Sequence, residues 1–357
     1  MPEELSIPQD FSLNTGGSGK VTNNWLLALA EDDRAIKKRR KDMIKVSCKY
    51  NIGIFVLSKE KIHFEREDSL LNDQNSIYTS FSECAPIVLK SERELQIKFP
   101  RSMKRVARLT LLRDLQRNMI SNEFYTNKDM DIEKGTIIIA DFDMTKWPAL
   151  SNVNKQMKGL TMNAGRYDAV CTNGAGSKQE QKYYDTYATI LLPDVFILQN
   201  DKRLFGKSDE SKITVGNDMF HFNKRLMKTR FHKQNNFTDE ERLQEETRQR
   251  RIALFKNMGS SHQDGIEPVR SCFGGMTIYK ARSYLEPKCR YQINHDILTK
   301  RDKATIMRFS NIKDKRPCEH VLLHECLREQ LEDFRIGISR HLVALWTGND
   351  HRGAFLQ

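Results

Sequence analysis

Two aspartates that follow an apolar run are the sharpest chemical signal in the sequence. The run Gly135–Ala140 is typical of a buried strand, and Asp141 and Asp143 come at its end with Phe142 between them. Alternate residues of an extended chain point to the same side, so both carboxylates can face one cation while Phe142 turns into the core. Oxygen ligands at this spacing suit Mg²⁺ or Mn²⁺ rather than zinc or copper. The alternative is two loop aspartates that cap the next helix.

A metal ion bound there would normally be completed by substrate phosphates, which favour arginines nearby. The stretch from Pro100 to about Ser121 predicts a long helix, and Arg105 and Arg113 lie eight residues apart on one of its faces. Arginine is the residue type that contacts phosphate in a bidentate manner. The alternative is a basic helix face in contact with solvent.

Two further segments have the composition of a substrate site. Tyr183, Tyr184 and Asp185 form an aromatic and acidic cluster, and such groups grip a sugar ring and its hydroxyls. Gly274 and Gly275 precede a predicted strand, where paired glycines let the backbone approach a ligand or form a tight turn. The aromatic cluster alone is also compatible with an ordinary hydrophobic core.

The late helix, predicted from Cys318 to about Phe334, begins with titratable residues. Glu319 lies in its first turn, where the helix dipole stabilises a carboxylate that can act as a base or orient a hydroxyl. His320 and His324 share a face at i and i+4, and His324 is a candidate third metal ligand. The alternative for either histidine is an ordinary surface or core residue.

Composition and charge limit the classes of protein to which the chain can belong. The chain has 357 residues, 38% of them hydrophobic, and 59 Lys and Arg against 47 Asp and Glu, a formal net charge of +12. This composition can form a sizeable core, and no apolar run is long enough to span a bilayer. A basic chain suits nucleic acid, a membrane surface or a phosphorylated substrate. The basic clusters Arg34–Lys45 and Lys202–Lys256 also contain acids, which is typical of solvated helix faces.

The seven cysteines are scattered and form no CxxC pair, which argues against a zinc ribbon. Cys289 with Cys318, or Cys272 with Cys326, could pair in an oxidising lumen. Free buried thiols are the favoured interpretation.

The predicted elements alternate between strands and helices and indicate an α/β fold with a mixed, mostly parallel sheet covered by helices. They are helices from Asn23 to about Lys45, over 100–121 and from Cys318 to about Phe334, and strands at Asn51–Leu57, Gly135–Ala140, Tyr167–Thr172, Thr189–Leu198 and Met276–Tyr279.

The predicted organisation has four parts. Residues 1–99 form the N-terminal part of a nucleotide-binding half, and 100–199 form the half that binds the nucleotide sugar and the metal. Residues 200–265 are a basic, mostly helical insertion. Residues 266–357 form the acceptor side and the C-terminal helix.

The ordered set of these segments resembles nucleotide-sugar glycosyltransferases of the GT-A fold, and within them the cryptococcal-type capsule-associated α-1,3-mannosyltransferase family. The resemblance covers roughly residues 100–330. Its motifs are Arg105 and Arg113, the IIIADFDM segment, the segment from Asp168 to Asp185, VRSCFGGM and CEHVLLH.

The resemblance implies a GDP- or UDP-hexose donor, Mn²⁺ or Mg²⁺ at Asp141 and Asp143, and a glycan or glycoprotein acceptor, with no nucleic acid as partner. It implies cofactor contacts from Arg105, Arg113 and Asp141, and catalytic roles for Glu319 and Asp185. It further implies sugar or acceptor contacts from Tyr183, Tyr184, Gly274 and Gly275, and a place in the Golgi or secretory lumen. No targeting segment is visible, so the cytoplasm stays open.

Three departures from the family pattern are visible. Phe273-Gly274 replaces the more usual Trp-Asn, and the late motif reads C-E-H rather than S-E-C. The stretch from Asn14 to Leu29 resembles the segment that normally follows the first strand, but lacks its acids. The first strand is therefore expected upstream of Met1. The rival function is a non-catalytic glycan- or nucleic-acid-binding protein with a degenerate glycosyltransferase fold.

Overall fold

The computed structural model describes residues 20–30, 32–59, 84–97, 99, 103, 105–162, 166–175, 188–191, 264–291 and 318–346. Residues 200–263 of the predicted basic insertion, and with them the cluster Lys202–Lys256, lie outside the described residues. The described residues fall into two compact units. The first is the described part of Met1–Asp143, Asn154–Gly165 and Ile278–Ile293, and the second is the described part of Met144–Val153, Arg166–Thr277 and Asn294–Gln357.

The described residues form nine strands and five helices. The strands are β1 Asn24–Ala30, β2 Gly53–Ser58, β3 Ile87–Ser91, β4 Thr136–Asp141, β5 Ala169–Ala175, β6 Ile190–Leu191, β7 Ile266–Ser271, β8 Met276–Lys280 and β9 Ile336–Leu345. The helices are α1 Asp33–Tyr50, α2 Arg105–Thr126, α3 Leu150–Met162, α4 Ala281–Leu285 and α5 Glu319–Gln330.

The first unit is built on parallel strands in the order β3-β2-β1-β4, followed by β8. The pairs β1·β2, β1·β4 and β2·β3 are all parallel. β1, β2 and β4 are buried on both faces, which explains their unbroken apolar runs in the sequence. The register sets Leu29 beside Asp141 and Ala30 beside Ser58, so the carboxyl ends of β1, β2 and β4 lie at one edge.

The second unit contains strands in the order β5-β9-β7-β6. β5 and β9 are parallel, whereas β7 pairs antiparallel with both β9 and β6. Helix α5 packs against β7. Across the described residues the strand pairs are mostly parallel, so the predicted α/β fold with a mixed, mostly parallel arrangement is confirmed.

The predicted helix from Asn23 to Lys45 is wrong over its first part, because Asn24–Ala30 is the strand β1. A short apolar run fits a buried strand as well as a buried helix, and periodicity alone does not separate them. The helix proper begins at Asp33, where the side chain of Asp32 accepts a hydrogen bond from the amide of Ala35 and caps it. The family pattern places the stretch from Asn14 to Leu29 after the first strand of the sheet. In the structure, residues from Asn24 onward in that stretch belong to a strand themselves, β1, which lies between β2 and β4.

Six of the seven cysteines form disulfide bonds: Cys48 bonds Cys84, Cys171 bonds Cys272, and Cys289 and Cys326 are disulfide-bonded as well. The expectation of free thiols is therefore wrong for these six residues. Both predicted pairs are also wrong, because Cys272 bonds Cys171 and Cys318 is a buried thiol. The true partners lie 36 and 101 residues apart in sequence and are brought together only by the fold.

Among the helices described, none combines the length and the apolar character that crossing a membrane requires.

Candidate functional site

The acidic pair lies at the carboxyl edge of the parallel strands in the first unit. Asp141 is the last residue of β4, and Asp143 follows two positions later. The amide of Phe142 donates to the carbonyl of Leu29 at 3.2 Å, and the Phe142 side chain is fully buried, as predicted. Both aspartates are half-buried. The carboxyl ends of parallel strands are where α/β proteins bind their ligands, so this is the expected position for a site.

Arg113 holds Asp141 in place. Its Nη2 donates to Oδ1 of Asp141 at 2.6 Å and to the carbonyl of Ala140 at 3.2 Å. The Arg113 side chain is 2% exposed, whereas that of Asp141 is 30% exposed. The alternative of a solvated basic face is therefore wrong for Arg113, which presents Asp141 to solvent from a buried position.

Arg39 is a second buried arginine of the same unit, and sequence reasoning missed it. Its side chain is 5% exposed, and its Nη1 lies 3.3 Å from Oδ2 of Asp42. Burial lowers the pKa of the Arg39 guanidinium below its ordinary value, and the carboxylates of Asp42 and Asp143 act against that shift. Asp143 therefore lies within electrostatic reach of Arg39.

A signal for Arg39 was present in the sequence. The buried residues of α1 are Ile36, Arg39, Met43, Val46 and Ser47, spaced by three or four as in an apolar helical stripe. Arg39 falls on that stripe, although it belongs to a run of basic residues. The interpretation of this run as a solvated face is wrong at that one position.

The donor set of the acidic pair fits a hard divalent cation. Asp141 and Asp143 offer carboxylate oxygens at a half-exposed strand end. No group of three or more His, Cys, Asp or Glu that could hold a metal occurs in the described part of the chain. Mg²⁺ and Mn²⁺ are commonly held by one or two carboxylates, with waters and substrate phosphates completing the shell. Asp141 and Asp143 thus fit Mn²⁺ or Mg²⁺ as two of its ligands, with the remaining ligands supplied by water and substrate phosphates.

Several predicted site residues are not placed by the structure. Arg105 is the first residue of α2, and its side chain lies outside what is described. Tyr183, Tyr184 and Asp185 lie outside the described residues altogether. Their predicted roles stay predictions.

Helix α2 is anchored by a buried network that continues from Arg113. Arg117 donates to the carbonyl of Tyr284 in α4 and to the carbonyl of Pro287 just after that helix. One residue after Arg113, Oδ1 of Asp114 accepts the amide hydrogen of Tyr291 at 2.6 Å. Burial raises the pKa of Asp114 from 3.8 to about 7, against the lowering effect of that hydrogen bond and of nearby arginines. The segment from Tyr284 to Tyr291 therefore fixes the helix that carries Arg113.

The raised pKa of Asp114 predicts a pH dependence of stability. Because the folded chain binds this proton more tightly than the unfolded chain, the free energy of unfolding falls as pH rises from about 4 to about 7. Asp114→Asn keeps an acceptor for Tyr291 but does not ionise, so its unfolding midpoint should fall less over that interval. Thermal unfolding across the interval checks this expectation. Parallel curves for the wild type and the variant would contradict it.

In the second unit, Gly274 and Gly275 form the turn between β7 and β8, with φ angles of 64° and 95°. A Cβ on Gly274 would stand 2.1 Å from the carbonyl oxygen of Thr172, and one on Gly275 would stand 2.6 Å from Sδ of Met144. The backbone conformation and the close neighbours both require glycine here. The turn interpretation is therefore confirmed, and contact with a sugar stays a prediction.

Glu319 is the first residue of α5, as predicted, and its side chain is 11% exposed. The thiol of Cys318 donates to its Oε2 at 3.4 Å, and Nε2 of His320 lies 3.8 Å from its Oε1. The His320 ring stacks on Phe273 with centroids 3.8 Å apart. These contacts hold the carboxylate at the start of the helix, beside the residue that precedes Gly274.

His324 lies fully buried between α5 and β7, where its Nδ1 is 2.9 Å from Oγ of Ser271. Burial lowers the pKa of His324 well below its ordinary value, so the ring is neutral. At the adjacent positions, Arg270 of β7 donates to both carboxylate oxygens of Glu325 in α5. The two contacts fix α5 on β7, and metal binding by His324 stays a prediction.

The predicted site residues are thus described in two groups. Asp141, Asp143 and Arg113 come together in the first unit, whereas Gly274, Gly275, Glu319 and His324 belong to the second. No family model matches this chain, and no curated protein is significantly similar to it in sequence. The functional conclusion therefore depends on the site itself.

Proposed function

We propose that this chain is a metal-dependent glycosyltransferase of the GT-A type. It would move a hexose, in the first instance mannose, from a GDP- or UDP-sugar to a hydroxyl of a glycan or glycoprotein. One observation carries the proposal: Arg113, itself buried, holds the half-exposed carboxylate of Asp141 at the carboxyl edge of the parallel strands, with Asp143 two residues on. A pair of carboxylates fixed at this edge is suited to receive a cation bound to a diphosphate.

In the proposed reaction, the bond between the sugar C1 and the diphosphate oxygen breaks and a bond from C1 to the acceptor oxygen forms. The nucleoside diphosphate leaves with the electron pair, and the proton of the acceptor hydroxyl is taken up by the departing diphosphate or by water. Bound Mn²⁺ or Mg²⁺ supplies charge neutralisation at the departing diphosphate. Asp141 and Asp143 would hold that complex, and Arg113 keeps Asp141 oriented, so little reorganisation is needed during transfer.

Glu319 is the proposed acid beside the reacting carbon. Its carboxylate lies in the first turn of α5, from which it is proposed to orient the donor or the acceptor. Asp185, Tyr183 and Tyr184, together with the turn at Gly274 and Gly275, are proposed to contact the sugar or the acceptor.

Glu319→Gln is expected to lose turnover by about 100-fold or more while donor binding is preserved, because the amide keeps the shape but not the charge. The matched control is Glu332→Gln, which changes an exposed glutamate of the same unit. Turnover and nucleotide affinity are measured separately for each variant. Turnover of Glu319→Gln equal to that of the control would remove Glu319 from the site.

The proposed compartment is the Golgi or secretory lumen. The disulfide-bonded state of six cysteines supports it, because disulfide bonds form and persist in oxidising compartments and are rare in the cytosol.

The experiment that tests the proposal measures release of nucleoside diphosphate from GDP-mannose and UDP-glucose, with Mn²⁺, with Mg²⁺ and with a chelator. Release that requires the metal and is stimulated by a glycan acceptor is the expected result. The same preparation is titrated with RNA at low and high salt. Salt-sensitive RNA binding without any release of nucleotide would favour the rival, non-catalytic function.

A further inference from the structure

The outer face of α1 carries almost only positive charge. Eight of its 18 residues are basic and two are acidic. Six of the basic side chains are exposed: Arg34, Lys37, Lys38, Lys41, Lys45 and Lys49. Their spacing, at 3.6 residues per turn, places them on one side of the helix, opposite its buried stripe. The helix therefore presents a basic surface about 22 Å long.

Acids at the start of the helix balance the first part of this surface. Asp32, which caps the helix, pairs with Arg34 at 2.7 Å. Asp33 pairs with Lys37 at 3.6 Å. These two cations are therefore compensated within the chain itself.

Four exposed lysines follow, and we call them the lysine ladder: Lys38, Lys41, Lys45 and Lys49. The structure gives none of them an ion pair or a hydrogen bond among the described residues. Nζ of Lys49 lies 5.8 Å from the centre of the Tyr50 ring, a contact that leaves its charge in place. Asp42, the remaining acid of α1, lies 3.3 Å from the guanidinium of Arg39 and balances that charge. The positive charge of the lysine ladder is thus not compensated by α1.

The lysine ladder is unfavourable for the helix that carries it. Lys45 stands four residues from both Lys41 and Lys49 on the same face, and like charges at this spacing destabilise a helix. All these side chains are exposed, so the core gains nothing from them. An anionic partner that lies along α1 would offset the repulsion.

The disulfide bond of α1 narrows the choice of anionic partner. Cys48 is exposed on the same side of the helix as the lysine ladder and is bonded to Cys84. Disulfide bonds persist in oxidising compartments, so this surface is presented in one. RNA and the anionic leaflet of cellular membranes face the cytoplasm, where disulfide bonds are rare. The anionic polymers of an oxidising compartment are chiefly glycans.

We infer that the lysine ladder binds an anionic glycan, whose uronic-acid carboxylates pair with its ammonium groups. The choice of a glycan rests on the proposed function, in which a glycan accepts the hexose. Lys41, Lys45 and Lys49 follow one another at about 6 Å along the helix axis, a step comparable to the length of one sugar unit. Lysine supplies a flexible point charge without fixed bidentate geometry, which suits carboxylates on a mobile chain. The lysine ladder belongs to the same unit as the acidic pair and would hold the acceptor chain there.

The test compares the ladder variant Lys41→Gln, Lys45→Gln with a control, Lys20→Gln, Lys128→Gln, which removes two exposed lysines elsewhere in the same unit. Binding of polygalacturonate, neutral dextran, single-stranded RNA and phosphatidylserine vesicles is measured over a range of salt concentrations, without nucleotide. We expect the wild type to bind polygalacturonate and not dextran. The ladder variant should bind polygalacturonate about tenfold more weakly at low salt, with the control within about twofold of the wild type. The slope of log affinity against log salt should fall by up to about 2 in the ladder variant.

A second variant separates binding from stability. Lys45→Glu places a carboxylate four residues from both Lys41 and Lys49, so two repulsive pairs become attractive while helix propensity is nearly unchanged. We expect its unfolding midpoint at low salt to rise above that of the wild type, although its affinity for polygalacturonate falls by about tenfold or more. A lower midpoint would contradict the claim that the lysine ladder is unfavourable for the helix.

The outcomes separate this inference from the proposed function. Weakened polygalacturonate binding in the ladder variant alone supports the inference, even where the wild type binds neither GDP nor UDP and only the proposed function fails. Equal binding by the wild type and the ladder variant, or no binding by the wild type at low salt, would overturn the inference and leave the proposed function standing. Tighter binding of RNA or vesicles than of polygalacturonate at about 0.15 M ionic strength, lost in the ladder variant, would refute the choice of a glycan.

Discussion

Replacing Asp143 with alanine is expected to reduce hexose transfer by at least about 100-fold and to remove Mn²⁺-dependent nucleotide binding. Asp143 is half-buried at the edge where β4 ends, and it supplies one of the two carboxylates of the acidic pair. Alanine removes one of the two proposed carboxylate ligands and leaves Asp141 alone to hold the cation. The loss should therefore appear in nucleotide binding as well as in turnover.

The control for this variant is Asp129→Ala, which removes an exposed carboxylate from a turn of the same unit. Circular dichroism and thermal unfolding show whether each variant keeps its fold, and only a modest shift in the midpoint is expected for Asp143→Ala because the position is half-exposed. Both variants are then assayed with GDP- and UDP-sugars in the presence of Mn²⁺. Retained metal-dependent transfer by Asp143→Ala would remove Asp143 from the metal site.

Arg113→Met is expected to lower the free energy of unfolding by about 2–4 kcal/mol. The change leaves the Asp141 carboxylate and the carbonyl of Ala140 without their buried donor. Asp141 is 30% exposed, so water recovers part of the loss and the effect should stay below that of breaking a fully buried pair. Nucleotide binding should weaken too, because Asp141 is no longer held in one orientation.

Urea denaturation of Arg113→Met is compared with that of Arg93→Met, which replaces an exposed arginine of the same unit. The double variant Arg113→Met, Asp141→Asn should recover part of the lost stability, because it also removes the uncompensated charge. Nucleotide binding should not recover in the double variant, since the carboxylate is gone. Equal stability of Arg113→Met and Arg93→Met would contradict the role assigned to the ion pair.

The strands β2, β4, β5, β6 and β8 were predicted from the sequence at least in part, whereas β1, β3, β7 and β9 were not. β2 and β4 are unbroken apolar runs between turn residues, and both were predicted. β1 is equally apolar, but it directly precedes a helical pattern and was therefore predicted as the first part of that helix. β9 was missed because Arg340 and His341 interrupt it, at the place where its register with β5 shifts. A bulge of this kind breaks the alternation by which strands are recognised.

The two aspartates of the candidate site could be predicted from the sequence, but the arginine that holds Asp141 could not be assigned that role. Asp141 and Asp143 stand at the end of a strand that the sequence makes plain, so their place at the sheet edge followed from local pattern. The partnership of Arg113 with Asp141 depends on how α2 approaches β4, 28 residues later in the chain, and no local rule gives that approach. The burial of Arg39 was not predicted because this residue belongs to a run of basic residues. The one indication in the sequence was its spacing from the apolar residues on the buried face of α1.

Calorimetric titration of the folded wild-type chain with GDP and with UDP, with and without Mn²⁺, tests the central claim most directly. The proposed site predicts that one of the two nucleotides binds with a dissociation constant of about micromolar order, and that this binding is lost when Mn²⁺ is removed. That result would also identify the class of donor. Absence of binding to both nucleotides in the presence of Mn²⁺ would contradict the proposal that Asp141 and Asp143 receive a metal–diphosphate complex.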